Sequence, residues 1–263
     1  MQTPSSSLAQ RLAVVTGASA GIGKSIAECL VASGCEVILG ARRLDKLNQI
    51  RHDLLKIHPA AKIHVQSLDV ASDDSVSSFK EWVQQQAPKG IDVLINNAGL
   101  AKGIDPVATG SIIEWTEMIN TNVLGVLRVT RAFLPQMIAH GRLADIVMIN
   151  SIAGRVSYEG GAVYTATKHA LGSITKTLRL ELNGKPIRVI SIDPGMVETE
   201  FSLVRLGNQE KADQVYRGMT PLNGQDIAEC VSFALSRPPH VNIDEILVMP
   251  TDQASPTKLF RRI

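Results

Sequence analysis

The chain holds only three cysteines, Cys29, Cys35 and Cys230, with no C-x-x-C pair and no even framework. A disulfide scaffold is thereby excluded, and reduced intracellular thiols are expected. Aromatics make up just 4% of the residues. Trp82 and Trp115 both sit in helical patterns, where a packing role is the better expectation than a stacking platform. No run of 18 apolar residues occurs, which excludes a membrane-spanning helix. The N-terminal MQTPSSSLAQR has no apolar signal-peptide core, so a cytoplasmic location is expected. Neither sign of charge dominates: 27 Lys and Arg against 25 Asp and Glu leave a net +2. Nucleic-acid binding through bulk electrostatics is therefore disfavoured. The six histidines are scattered and no His/Cys/carboxylate cluster stands out, so no metal is expected.

What the chain does have is length and apolar content, 263 residues of which 44% are hydrophobic. A chain of that size buries roughly 70–75% of its unfolded surface without help from a disulfide or metal. Short β-branched runs recur at Leu12–Thr16, Glu36–Gly40, Lys62–Leu68, Asp92–Asn96, Asp145–Asn150, Ile187–Ile192 and Ile243–Val248. Segments of helical period lie between them, near 22–33, 43–57, 73–87, 111–140, 161–183 and 225–236. This alternation predicts an α/β fold: a single doubly wound parallel sheet, Rossmann-type, of about seven strands with helices on both faces. No repeat, low-complexity tract or Pro/Gly/Ser linker divides residues 1–263, so one domain is expected. The irregular stretch 196–222 follows a strand's carboxyl end and is the natural substrate lid.

The first strand runs into Thr16-Gly17-Ala18-Ser19-Ala20-Gly21-Ile22-Gly23 and then a helix. Glycines in such a turn let backbone N–H groups approach a pyrophosphate at the helix start. The second strand ends Gly40-Ala41-Arg42-Arg43, with two arginines where a carboxylate would bind a free ribose 2′-hydroxyl. A guanidinium binds phosphate oxygens instead, so NADP is expected over NAD. The third strand ends at Asp69-Val70, where the carboxylate has two roles open to it, adenine contact or capping of the next helix. The fourth ends Asn96-Asn97-Ala98-Gly99, small enough to pack on a cofactor and able to bridge neighbouring strands through its amides.

Tyr164 and Lys168 are four apart in a helical segment and so share a face. A phenol with pKa near 10 is a poor base at neutral pH. A neighbouring ammonium and a cationic nicotinamide would stabilise the phenolate, and a three-unit shift corresponds to about 4 kcal/mol. Ser151 follows the fifth strand at the carboxyl edge where such sheets bind ligands, and its hydroxyl could hold a substrate oxygen.

With these motifs the chain resembles the short-chain dehydrogenase/reductase family over almost its whole length. The match rests on TGASAGIG (16–23), NNAG (96–99), Asn122 in NTNVLG, Ser151 thirteen residues before Tyr164, Lys168 and Pro194-Gly195. No departure from that family's catalytic pattern is found. The resemblance implies a tetrad: Tyr164 as general acid/base, Ser151 polarising the substrate oxygen, Lys168 on the nicotinamide ribose, and Asn122 anchoring a relay water. It further implies a cofactor site of Gly17, Ser19, Gly21, Ile22, Gly23, Arg42, Arg43, Asp69, Val70, Asn97, Ala98, Gly99, Tyr164, Lys168, Pro194, Gly195, Val197 and Thr199. Within that set Asp69 meets adenine, Asn97 lies near the adenosine ribose, and Pro194 to Thr199 close on the nicotinamide. A homotetramer built through helices 111–140 and 161–183 is also implied.

ARRLDKL (41–47), SIAGR (151–155), VETEFSLVR (197–205) and PTDQASP (250–256) look like the NADP-dependent 3-hydroxy acid dehydrogenase branch. That likeness implies small substrates such as L-serine, L-allo-threonine or 3-hydroxybutyrate. A carboxylate substrate needs a cation, and Arg155 and Arg205 are the candidates, each equally able to form a structural ion pair. A carbonyl reductase or 3-ketoacyl-thioester reductase would keep the same tetrad and differ in the lid. A non-catalytic NADP(H)-sensing module could dispense with Tyr164 or Lys168, and this chain keeps both.

Overall fold

The computed structural model describes residues 8–262. The first seven residues of the stretch read for a signal peptide lie outside that range. Seven parallel strands form one sheet: β1 Leu12–Thr16, β2 Glu36–Ala41, β3 Ile63–Ser67, β4 Val93–Asn96, β5 Ala144–Ile149, β6 Ile187–Pro194 and β7 Glu245–Val248. Their spatial order is β3-β2-β1-β4-β5-β6-β7. The strand order therefore reverses between β1 and β4, and the crevice outside their carboxyl ends is where such sheets take ligands. The doubly wound α/β sheet expected from the alternation of periods is the fold found.

Both faces are buried, because period-2 alternation along each strand serves two helical layers. Ala13 and Val15 of β1 join the core beneath α1 (Gly21–Ala32), α2 (Leu44–Ile57) and α9 (Gly224–Leu235). Leu12 and Val14 join the opposite core, against α3 (Asp73–Gln86), α5 (Val126–Ala139) and α6 (Ala162–Glu181). Phe79 and Phe133 anchor that second layer in an edge-to-face contact with centroids 6.2 Å apart. Trp82 packs against Phe79 and is a core-edge residue, as its helical position suggests. The helix starts carry side-chain caps at Ser72 and at Ser111, ahead of α4 (Ile112–Ile119), and a capping box joins Asn223 and Asp226.

Three expectations need correction. The helix expected over 111–140 is not continuous, since α4 and α5 are separated by a π-helical segment, Asn120–Gly125. Its cause is tertiary: Asn122, inside the segment, is drawn into hydrogen bonds with Leu100 and Thr167 on other elements. The stretch 196–222 is not irregular, because it folds into α7 (Phe201–Leu206) and α8 (Gln209–Tyr216), too short to stand out by period. Strand ends also shift by one or two residues; β7 begins at Glu245 rather than Ile243, and β6 runs on to Pro194.

Candidate active site

The switch point is tied together by one hydroxyl. Thr16, the last residue of β1, donates to the Ile95 carbonyl at 3.1 Å and accepts from the N–H groups of Asn97 and Ala98 at 3.1 and 3.0 Å. The Asn97 amide returns the link, donating to the carbonyls of Thr16 (2.9 Å) and Gly17 (3.2 Å). Asn97 thus bridges neighbouring strands and fixes the glycine-rich turn. That turn has no room for side chains. Gly17 has φ +66° and a Cβ there would lie 2.9 Å from Ala98 Cα; one on Gly23 would lie 2.4 Å from Asn97 Nδ2. The following helix, α1, is preceded at the capping position by Ala20, which offers no side-chain cap. Its first-turn N–H groups lack the acceptor that Ser72, Ser111 and Asn223 provide elsewhere, which suits a phosphate.

A cleft of about 390 Å³ runs from this turn across the carboxyl edge of the sheet. All the residues expected to hold a cofactor line it except Gly23, which packs beneath the turn against Asn97. At one end are Arg42 and Arg43, both exposed. Arg43 donates to Ser19 Oγ and pairs with Glu200 at 2.8 Å, while Glu200 also takes Lys46 at 2.9 Å. Among the described residues Arg42 has no ion-pair partner, which leaves its guanidinium free for an anion. Glu200 escaped the sequence reading, since its two cations lie more than 150 positions away. Asp69 does not cap α3, a task done by Ser72. Its Oδ1 accepts from Ala71 N–H in a local turn, and the residue faces the cleft. The donor set and the glycine clearances fit a phosphorylated dinucleotide.

Ser151, Tyr164 and Lys168 meet at the other end. Gly154 makes this possible: a Cβ there would come within 2.7 Å of the Lys168 carbonyl, so only glycine lets α6 approach the segment after β5. The Ser151 hydroxyl donates to the Pro194 carbonyl at 3.5 Å and accepts from Ala153 N–H at 3.1 Å, and it stands beside the Tyr164 phenol. Lys168 Nζ donates to the Ile149 carbonyl at 2.9 Å and lies 5.9 Å from the tyrosine ring centroid. Asn122 stands behind them rather than in the cleft. Its carboxamide accepts from Leu100 N–H and donates to the Leu100 carbonyl and to Thr167 Oγ1, whose hydroxyl donates to the Tyr164 carbonyl.

The electrostatics amend the expectation that the ammonium makes the phenol acidic. Burial dominates both groups, pushing the Tyr164 phenol well above its ordinary value and the Lys168 ammonium down to about 8. The effects that hold the phenol down are the neighbouring Ser151 hydroxyl and the charge of Arg205. Arg205 reaches from α7 to 5.7 Å from the Tyr164 ring centroid while donating to the Tyr158 hydroxyl (3.0 Å) and the Gly103 carbonyl (3.3 Å). Arg155, the other candidate for a substrate carboxylate, is taken up elsewhere, by Asp193 at 2.7 Å and Glu245 at 2.5 Å. Among the described residues no cluster of His, Cys, Asp or Glu could hold a metal.

A doubly wound sheet with a glycine turn at its switch point and a Ser/Tyr/Lys group beside it defines a class, the dinucleotide-dependent α/β oxidoreductases. Residues 11–208 match the short chain dehydrogenase model, and the chain belongs to that family of oxidoreductases. It is 48% identical over 250 residues to an uncharacterized oxidoreductase of Mycobacterium tuberculosis, covering 95% of this chain and 94% of that one. It is 43% identical over 251 residues to the NADP-dependent 3-hydroxy acid dehydrogenase of Schizosaccharomyces pombe, covering 95% and 96%. Among solved structures it resembles the closed form of a serine dehydrogenase complexed with NADP+, with TM-score 0.86 and 35% identity over 96% of this chain and 100% of the other.

Proposed function

We propose that the protein is an NADP-dependent dehydrogenase of small 3-hydroxy acids such as L-serine, L-allo-threonine or 3-hydroxybutyrate, which it oxidises reversibly at C3. The observation that carries this reading is the Arg205 guanidinium over the catalytic phenol. It supplies positive charge 5.7 Å from the centre of the ring that carries the reacting oxygen, where a substrate carboxylate can be held. Arg42 and Arg43 favour the phosphorylated cofactor, and the NADP of the serine dehydrogenase complex and in the name of the yeast relative agrees.

Bound NADP+ supplies the hydride acceptor and a positive ring charge. The remaining work falls to side chains of this chain. Ser151 holds the substrate hydroxyl, and Tyr164 takes its proton as the hydride leaves C3. Lys168 holds the nicotinamide ribose, and Asn122 fixes the backbone of Leu100 and the turn of α6 that carries Tyr164. For a 2-amino-3-hydroxy acid the 3-keto acid product can lose CO₂ without further help. Stretch 196–222 acts as the lid within one domain spanning 1–263. Exposed Ile112, Ile113 and Leu180 on α4 and α6 support a homotetramer built through those helices and α5.

Steady-state assays of L-serine, 3-hydroxybutyrate and an acetoacetyl thioester, each with NADP(H) and with NAD(H), test the proposal. Turnover of the free acids with NADP+ is expected. A strong preference for the thioester would overturn the acid-substrate assignment, and equal use of NAD+ would overturn the cofactor assignment.

A further inference from the structure

Beneath the catalytic lysine lies a second buried charge that the family's tetrad does not include. β6 ends Ser191-Ile192-Asp193-Pro194, and residues two apart on a strand share a face. Asp193 faces α6, in line with Ile187 and Val189, which pack against Leu171 and Leu178 of that helix. It is 2% exposed. One carboxylate oxygen accepts from Ser191 Oγ at 2.5 Å and the other from Arg155 Nε at 2.7 Å. Arg155 continues to Glu245 of β7, and Lys176 Nζ lies 3.7 Å from the same carboxylate. A relay of charges thus runs from solvent to the sheet's carboxyl edge and ends at Asp193.

Lys168 reaches that edge from α6. The carbonyl its Nζ bonds belongs to Ile149, which pairs in register with Ile192, the residue before Asp193. Lys168 as a residue is only 7% exposed, so its side chain has lost most of its hydration. The groups around it are Tyr164 on its own helix and Asp193 on β6, with Arg155 after β5 and Glu245 of β7 joined in turn to Asp193. Asp193 alone among them puts an attractive charge on the ammonium, and burial opposes it. An uncompensated ammonium in such a site releases its proton.

We propose that Asp193 is a positioning residue that keeps the Lys168 side chain cationic, with Ser191 and Arg155 fixing its carboxylate and Arg155 partly offsetting its charge. The inference rests on the proposed function only in taking a charged Lys168 to be the form that binds the cofactor ribose and supports turnover.

The test measures NADP+ affinity by calorimetry and kcat/KM for 3-hydroxybutyrate from pH 6.5 to 9.5, in wild type, Asp193→Asn and Arg155→Gln. In wild type, affinity weakens as pH rises through the lysine's titration. In Asp193→Asn the ammonium is easier to deprotonate, so both alkaline limbs move down by about one pH unit while affinity at pH 6.5 stays within about twofold. In Arg155→Gln the offsetting charge is gone and the limbs move up. A purely structural Asp193 would lower thermal stability and leave the limbs in place, which overturns the proposal. So would wild-type affinity that does not change over the range. If Asp193→Asn does not fold, an unmoved limb in Arg155→Gln overturns it alone. A wild type that binds NADP+ with this pH dependence yet turns over no hydroxy acid refutes the proposed substrate class and leaves the inference standing.

Discussion

The two ends of the cleft are built by different means. At the glycine-rich turn, backbone is pressed on backbone: Thr16 and Asn97 satisfy the strand ends, and added methyl groups would overlap their neighbours by a large part of an ångström. The α1 helix behind it buries Gly23, Ile26, Ala27, Leu30 and Val31. The stretch 196–222, proposed above as the lid, is thin by contrast. Only Ser202 is buried in α7 and only Ala212 in α8. Apolar anchors stand at its base, where Val197 joins the main core and Phe201 meets the Tyr164 ring. The helices are tied mostly by polar contacts, through Ser202 to the Tyr216 hydroxyl, Tyr216 to the Val197 carbonyl, and Arg205 to Gly103 and Tyr158. Low burial and polar ties mark segments drawn from the low-stability end of a fold. A rigid glycine-rich turn and a weakly packed 196–222 follow from where the apolar area was spent, as the proposed roles of cofactor pocket and substrate lid require.

The contrast can be broken in several ways. Tyr164→Phe, at the substrate end, should cut turnover about 10²–10⁴-fold with NADP+ affinity by calorimetry unchanged. Retained activity would remove the proton-transfer role. Arg42→Asp should change the NADP:NAD affinity ratio by about 10–100-fold toward NAD without changing turnover at saturation, since one charge-assisted phosphate contact is lost and a repulsion gained. An unchanged ratio refutes the role of that guanidinium. Arg205→Met, on the lid side, should raise KM for 3-hydroxybutyrate about tenfold and spare that for its methyl ester. Equal losses for acid and ester would make Arg205 a latch for the lid and not an anion site.

Legibility in the sequence followed the range of the interaction. The strands, the glycine turn and the Tyr164/Lys168 pair are local patterns of period two, of backbone clearance and of i,i+4 spacing, so they could be read directly. Arg155 could not be resolved, because its partners Asp193 and Glu245 come from β6 and β7, 38 and 90 positions away. The same holds for Glu200 and for Asn122, whose amide opens a π segment only because Leu100 and Thr167 come to meet it. The sign of the Tyr164 shift also belongs to tertiary structure. Spacing brought the ammonium near, but only packing reveals that burial outweighs it in the protein by itself.

The smallest effect makes the sharpest test of the two construction modes, since it compares like with like. Gly23 and Gly207 each become alanine. At Gly23 the backbone is ordinary and the space is absent, with Gly17 O 2.6 Å and Asn97 Nδ2 2.4 Å from the new methyl. The turn must shift, at a cost of about 1–3 kcal/mol, and NADP+ affinity should fall with it because the displaced atoms line the phosphate path. At Gly207, after α7, the space is open but φ is +62°. Alanine there costs about 1 kcal/mol for the left-handed conformation alone, and it should loosen the lid, raising KM for the acid while leaving cofactor affinity intact. Calorimetric Tm and NADP+ titration on both variants decide the matter. A Gly23→Ala protein that binds NADP+ as tightly as wild type would mean that the turn yields as easily as the lid, and the division between a rigid cofactor end and a loosely held substrate end would fall.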